Sequence, residues 1–202
     1  MELKKKSIKG MTLALLMLIA AMAGCIGTED ETTEEVEETK PAFLDASDAG
    51  YTYASDVDNH RSLMQDLCDI KTAASDSNWD EAKNIYTNGK NAEKSDGSFR
   101  TLAGFAAASG KNHNYDTFYG QDGAIGAHIM AAMDGTGDFA GASDTVRYQG
   151  IAKLTANMGM VGYTIHELNA AVAKADAGNT DNDSGAPHNW DEGWAFFHGP
   201  DE

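Results

Sequence analysis

Cysteine is almost absent from this 202-residue chain, which contains only Cys25 and Cys68. Cys25 closes an export segment described below, so Cys68 stands alone. No intramolecular disulfide can then hold the fold, and an apolar core must. One thiol cannot build a cysteine-based zinc site, and at apolar helical spacing Cys68 is expected to be a buried packing residue. Strand-like alternation is scarce. So are the short motifs of familiar chemistries: the chain has no phosphate-cradling Gly-rich loop, nucleophile elbow, HExxH, CxxC or EF-hand loop. Basic residues are few once the first 25 are set aside, with 11 against 31 acidic and a formal net charge of −20. Such a surface repels nucleic acid and anionic lipid and draws cations. Salt adaptation or simple solubility is the first explanation of the charge as a whole.

What is present begins with an address. Lys4, Lys5, Lys6 and Lys9 form a positive n-region, and Met11 to Ala23 is an apolar run too short to span a bilayer comfortably. Ala23-Gly24-Cys25 follows directly, the arrangement of a lipobox whose cysteine is acylated, although Met22 stands where Leu is usual. Residues 1–25 are thus expected to be a lipoprotein signal peptide with acylated Cys25. An uncleaved anchor helix is the alternative, and both readings put the rest of the chain outside the cytoplasm. Residues 26–42 are an acidic tether with almost nothing to bury, expected to be extended and disordered. Residues 43–202 are one domain by size.

The spacing within that domain predicts an all-α helical bundle with one long central helix and several shorter Gly/Ala-rich helices. Val57 to Ala74 places Leu63, Met64, Leu67, Cys68 and Ile70 on one side. Asn78 caps a second helix that stops near Gly89 or Asn91. Phe99 to Ser109 and Gly123 to Met133 read as short, closely packed helices. From Ser143 to Ala175, the positions Ile151, Leu154, Met158, Val161, Ile165, Leu168, Val172 and Ala175 alternate steps of three and four, an a/d stripe expected to face the core. A Gly/Asn/Asp-rich loop and Pro187 precede a last segment, Asn189 to His198.

Carboxylates and histidines are the remaining candidates for chemistry. Glu167 lies off the a/d stripe, on a second face made apolar by Met160, Tyr163, Ala170 and Ala171, with His166 between the two faces. It is either a buried functional carboxylate or, with His166, an edge residue making ordinary hydrogen bonds. His188, Asp191 and Glu192 stand at i, i+3 and i+4, a spacing suited to a mixed oxygen and nitrogen metal site if the helix begins early enough. Otherwise the two acids sit in the first turn and serve the helix dipole. His60, His113, His128 and His198 read as surface or core histidines. Trp79, Trp190, Trp194, Phe196 and Phe197 read as core anchors.

Two stretches carry a family resemblance. Asn78-Trp79-Asp80-Glu81-Ala82-Lys83-Asn84-Ile85-Tyr86, continuing through Ser95-Asp96-Gly97-Ser98-Phe99-Arg100-Thr101-Leu102-Ala103-Gly104-Phe105, resembles the low-iron-inducible periplasmic proteins. Asn189-Trp190-Asp191-Glu192-Gly193-Trp194-Ala195-Phe196-Phe197-His198-Gly199 is similar to that family's acidic-aromatic signature. The resemblance implies extracytoplasmic iron assimilation and supports Asp191 and Glu192, and Glu167 with His166, as functional; with His188 from the spacing above, these are the candidate ligands for iron (Fe2+ or Fe3+), and an iron permease is the expected partner. The preferred expectation is a lipid-anchored iron-capture protein without catalytic turnover. Nothing in the sequence demands the open coordination position of a metal-dependent oxidase or reductase. Family members continue beyond the signature whereas this chain ends at Glu202, so a homodimer is expected to replace ligands supplied downstream. The competing expectation is a surface scaffold or interaction module in which the DEGWAFF motif serves packing alone.

Overall fold

The computed structural model describes residues 48–111 and 114–201. The signal peptide, Cys25 and the acidic tether lie outside the described residues, as does His113. Among the described residues the protein is all-α, and β-structure is limited to an isolated antiparallel bridge between Glu93 and Phe99. A 3-10 turn at Asp48–Gly50 leads to α1 (Asp58–Ser75), α2 (Trp79–Asn88), α3 (Leu102–Ala106), α4 (Asn114–Tyr119) and α5 (Ala124–Asp134). Then come α6 (Asp144–Lys153), a π-helical segment (Leu154–Met160), α7 (Val161–Asp176) and α8 (Ala186–His198).

Local chemistry sets the boundaries. Asn78 caps α2 by accepting from the Glu81 amide, and Gly89 ends it at a φ of 76°. A side chain at Gly89 would meet the Phe99 Cβ at 2.6 Å, so only glycine lets the 89–100 loop fold back there. Leu63 and Ile70 of α1, Ile85 and Tyr86 of α2, and Ile125, Ile129 and Met133 of α5 make the main core with Ile151, Met160, Tyr163 and Phe196. Cys68, expected inside, is exposed. It falls between the buried positions Leu63, Asp66, Ile70 and Ala73 of α1 rather than in line with them.

The long central helix is continuous from Asp144 to Asp176 but not uniform. Through Leu154–Met160 the ladder widens, and Val161 N–H bonds Ala156 O, five residues back. Each residue of an α-helix advances about 100° around the axis, so the extra residue in this turn rotates everything after it. Ile151 is buried before the π turn, yet Val161, Ile165 and Val172 of the same heptad stripe are exposed beyond it. The second face takes over the core: Met160, Tyr163, Glu167 and Ala171 are all buried. The expectation that the a/d stripe faces the core throughout is thereby corrected.

Helix α8 lies along α7 with Gly193 against Leu168, where an added Cβ would stand 2.9 Å from Leu168 Cδ2. Phe196 points into the core, while Trp190 and Phe197 face outward, contrary to their expected role as anchors. Only one side of a helix that lies on the surface can be buried. The segment before α1 is strapped down by Asp48, whose carboxylate accepts from Arg61 Nε at 2.6 Å and Nη2 at 2.8 Å, from the Asp201 amide and from the Tyr53 hydroxyl. Because the approach of α8 to α7 depends on the missing side chain at 193, Gly193→Ala is expected to destabilise the protein by about 1–3 kcal/mol in chemical denaturation. The equally helical Gly162, which has nothing within 4 Å of its would-be Cβ, is the control and should tolerate alanine.

Candidate metal centre

Three helices bring the site together. Helix α8 starts at Ala186 with Pro187 in its first turn, three residues earlier than the sequence suggests. His188 is therefore helical, and Asp191 and Glu192 lie past the first turn, where the dipole explanation for them no longer applies. His188 and Glu192 share a face at i and i+4, with His188 Nε2 3.3 Å from Glu192 Oε1. From α1, His60 Nε2 reaches the same oxygen at 3.3 Å. From α7, Glu167 is turned inward by the π segment and lies beside Glu192, whose carboxyl it pushes up. Asn189 Nδ2 donates to Glu167 Oε2. Lys111 Nζ and His166 Nε2 each stand 4.0 Å from Glu167 Oε1, and the Lys111 ammonium lies over the Tyr163 ring.

The surroundings make these groups costly to hold. Burial, then repulsion from Glu167, lifts the Glu192 carboxyl to about 7. Two carboxylates in contact cannot both stay ionised in a poorly solvated place, so a protonated Glu192 donates to Glu167. His60 is pushed down to about 3, first by burial and then by the charges of Arg100 and His188. It is a neutral imidazole boxed edge-on by Phe196 and Phe105, and its Nδ1 has no hydrogen-bond partner. Buried polar atoms normally have one. Burial also lowers His166. Two imidazoles, His60 and His188, facing two carboxylates form a nitrogen and oxygen donor set suited to a divalent transition metal.

Asp191 does different work from Glu192. Its fully buried carboxylate accepts from Tyr51 Oη at 2.6 Å, from the Ala54 and Ser55 amides at 2.8 Å each, and from Ser55 Oγ at 2.9 Å. Ser55 Oγ in turn lies 2.9 Å from His188 Nδ1. Asp191 therefore clamps the 51–55 segment to α8 and touches the site only through Ser55, which fixes the ring of His188. Glu167, Glu192 and His188 converge, His166 stands at the rim, and Asp191 is a support behind them. A cleft of about 470 Å³, lined by Lys111, His166, Tyr115, Val161, Ile165 and Asn169 among others, opens beside the rim.

By ligand-atom spacing alone, a different group among the described residues is tighter: Asp48, His198 and Asp201, within 4.8 Å of one another. Its central carboxylate is already neutralised by bidentate Arg61. An ion there would have to displace that pair, so the group around Glu192 is the better candidate.

The model of the low iron-inducible periplasmic protein family matches residues 16–202. The chain belongs to that family. No curated protein and no solved structure matches it. The low iron-inducible periplasmic protein described here accordingly has an iron-related, extracytoplasmic role. Among its described residues no helix is long and apolar enough to cross a membrane.

Within this family member, sequence reasoning missed His60, Lys111, Arg100 and Asn189. His60 carried a usable signal, since it lies three, seven and ten residues before Leu63, Leu67 and Ile70 and so shares the apolar face of α1. Lys111 and Arg100 sit in irregular segments, where no periodicity points inward.

The raised Glu192 yields a test on the metal-free protein. A carboxyl whose folded pKa lies above its unfolded value contributes stability that is complete below about 4.5 and disappears as pH rises through about 7. Glu192→Gln keeps the neutral form at every pH. The variant should match the wild type near pH 4 and exceed it by on the order of 2 kcal/mol at pH 8, read as a growing gap between the two thermal melting curves.

Proposed function

We propose that this protein is a lipid-anchored, non-catalytic iron-capture protein that holds its metal between His60 and His188 on one side and Glu192 and Glu167 on the other. The observation that carries the reading is the convergence of two imidazole Nε2 atoms on one Glu192 oxygen, each at 3.3 Å, beside a second buried carboxylate. In the metal-free form a shared proton and the nearby Lys111 ammonium neutralise the carboxylates. A divalent cation supplies the same neutralisation more fully and takes up the two imidazole Nε2 atoms that face Glu192. His166 stands where an arriving ion first meets the site, and Asp191, through Ser55, holds His188 in position. The acidic surface concentrates cations at the cleft, and an anchor at Cys25 with an acidic spacer keeps the domain near the membrane for delivery to a permease.

Anaerobic titration with Fe2+ is the direct test. The wild type should bind at micromolar concentration or tighter, with affinity falling below about pH 7 because the metal must displace the Glu192 proton. His60→Ala and Glu192→Gln should each weaken binding by at least about tenfold, and Glu192→Gln should do so without loss of folding. Binding that neither substitution alters would sink the reading and leave the scaffold interpretation, under which Asp191→Ala lowers the melting temperature and metal has no effect.

The anchor is tested separately. Cells expressing the wild type should incorporate labelled palmitate into the protein, and Cys25→Ser should abolish the label. An unlabelled wild type would remove the lipid from the proposal and leave the metal site standing.

A further inference from the structure

The described residues leave eight large apolar side chains exposed, and five of them lie on one face of α7 and α8. Val161, Ile165 and Val172 line α7, and Trp190 and Phe197 stand beside them on α8, each between 42% and 63% exposed. Leu168 joins the two rows at the floor of a wholly apolar groove of about 240 Å³ between the helices. The π turn creates this face, because it sends a heptad stripe that begins in the core out to solvent.

We infer that the face is a self-association seam: α7 and α8 of one molecule pack on the same helices of a second copy across a two-fold axis. Spacing is the first argument. Val161, Ile165, Leu168 and Val172 step by four, three and four, the a/d pattern that a helix presents to another helix. An isologous contact requires only that the same stripe meet itself.

Charge is the second argument. The chain carries a formal net charge of −17, which opposes association almost anywhere on its surface. Beside the stripe on α7, however, stand Gly162, Asn169 and Ala173, and the one exposed acid of that helix is Asp176 at its end, so two copies meet along most of the stripe without like charges.

Area is the third. The exposed parts of the five side chains amount to on the order of 500 Å² of apolar surface, taking full areas of about 150–250 Å² each. With the groove walls and the flanking residues, this approaches the roughly 800 Å² per partner of a standard interface. The chain's own acidic segment is a poor alternative cover, since Ile26 and Val36 are the only large aliphatic residues in 26–42.

The inference does not depend on metal binding. It is tested by sedimentation velocity on the full-length chain in density-matched detergent, at concentrations up to about 100 µM. The wild type should form a dimer, and Val172→Asp and Phe197→Asp should each weaken it by at least about tenfold. Both sites are exposed, so melting temperature and Fe2+ affinity should stay at wild-type values. A wild type that is monomeric throughout the range, or variants that dimerise as well as it does, would overturn the inference. So would quenching of Trp190 fluorescence by brominated lipid in vesicles holding a monomeric protein, which would assign the face to the membrane instead.

Discussion

One additional residue in a helical turn governs most of what this protein presents. Between Leu154 and Met160 the backbone ladder runs to the fifth residue back rather than the fourth, and the rest of the central helix is re-phased by about 100°. Upstream, Ile151 fills the core. Downstream, the core position belongs to Tyr163, Glu167 and Ala171. Without that rotation Glu167 would face solvent, Glu192 would lack its partner carboxylate, and the apolar stripe would be buried rather than displayed. The interior site and the exposed seam are two consequences of one local change in helical pitch.

The interior site is an electrostatic compromise. Burial disfavours the charged forms of Glu192 and His60 alike, raising one and lowering the other. The protein answers by sharing a proton between carboxylates, keeping the imidazole neutral and bringing Lys111 to within 4.0 Å of Glu167. None of these measures satisfies His60 Nδ1, and a purely structural core would fill the same volume with hydrocarbon at lower cost. The neighbouring buried acids make the contrast clear. Asp48 is matched by Arg61, and Asp191 by a serine, a tyrosine and two backbone amides. Those carboxylates fasten the segment before α1 in place, whereas Glu192 and Glu167 are left facing each other.

The two adjacent acids of the final motif thus divide the labour. Asp191 points toward the 51–55 strap and Glu192 toward α1 and α7, as the turn of about 100° between successive residues requires. Gly193, next in line, lets α7 come close enough for Glu167 to reach Glu192. The aromatic residues that follow complete the pattern, with Phe196 in the core against His60 and Phe197 on the outside. Read along the chain, acid, acid, glycine and aromatic are a support, an inward-facing carboxylate, a contact and a wall.

Sequence alone determined the helical class, the cap at Asn78, a stop near Gly89 or Asn91 and the family, and it named Glu167, His188 and Glu192 among the candidate ligands. Each rests on information held within a few turns of one helix or within a contiguous motif. It also marked Met160, Tyr163 and Glu167 as an unusually apolar second face, although which of the two faces would be buried was not legible. Tertiary structure decided that question, because an α-to-π change of pitch leaves the apolar spacing on either side unaltered and is stabilised by the packing around it. Tertiary structure also brought in His60, more than a hundred residues from Glu192, set Asp191 apart as a hydrogen-bonded support and put Cys68 and Phe197 outside. Those outcomes depend on which elements meet in space, and a one-dimensional periodicity says how a helix divides into faces without saying what each face will meet.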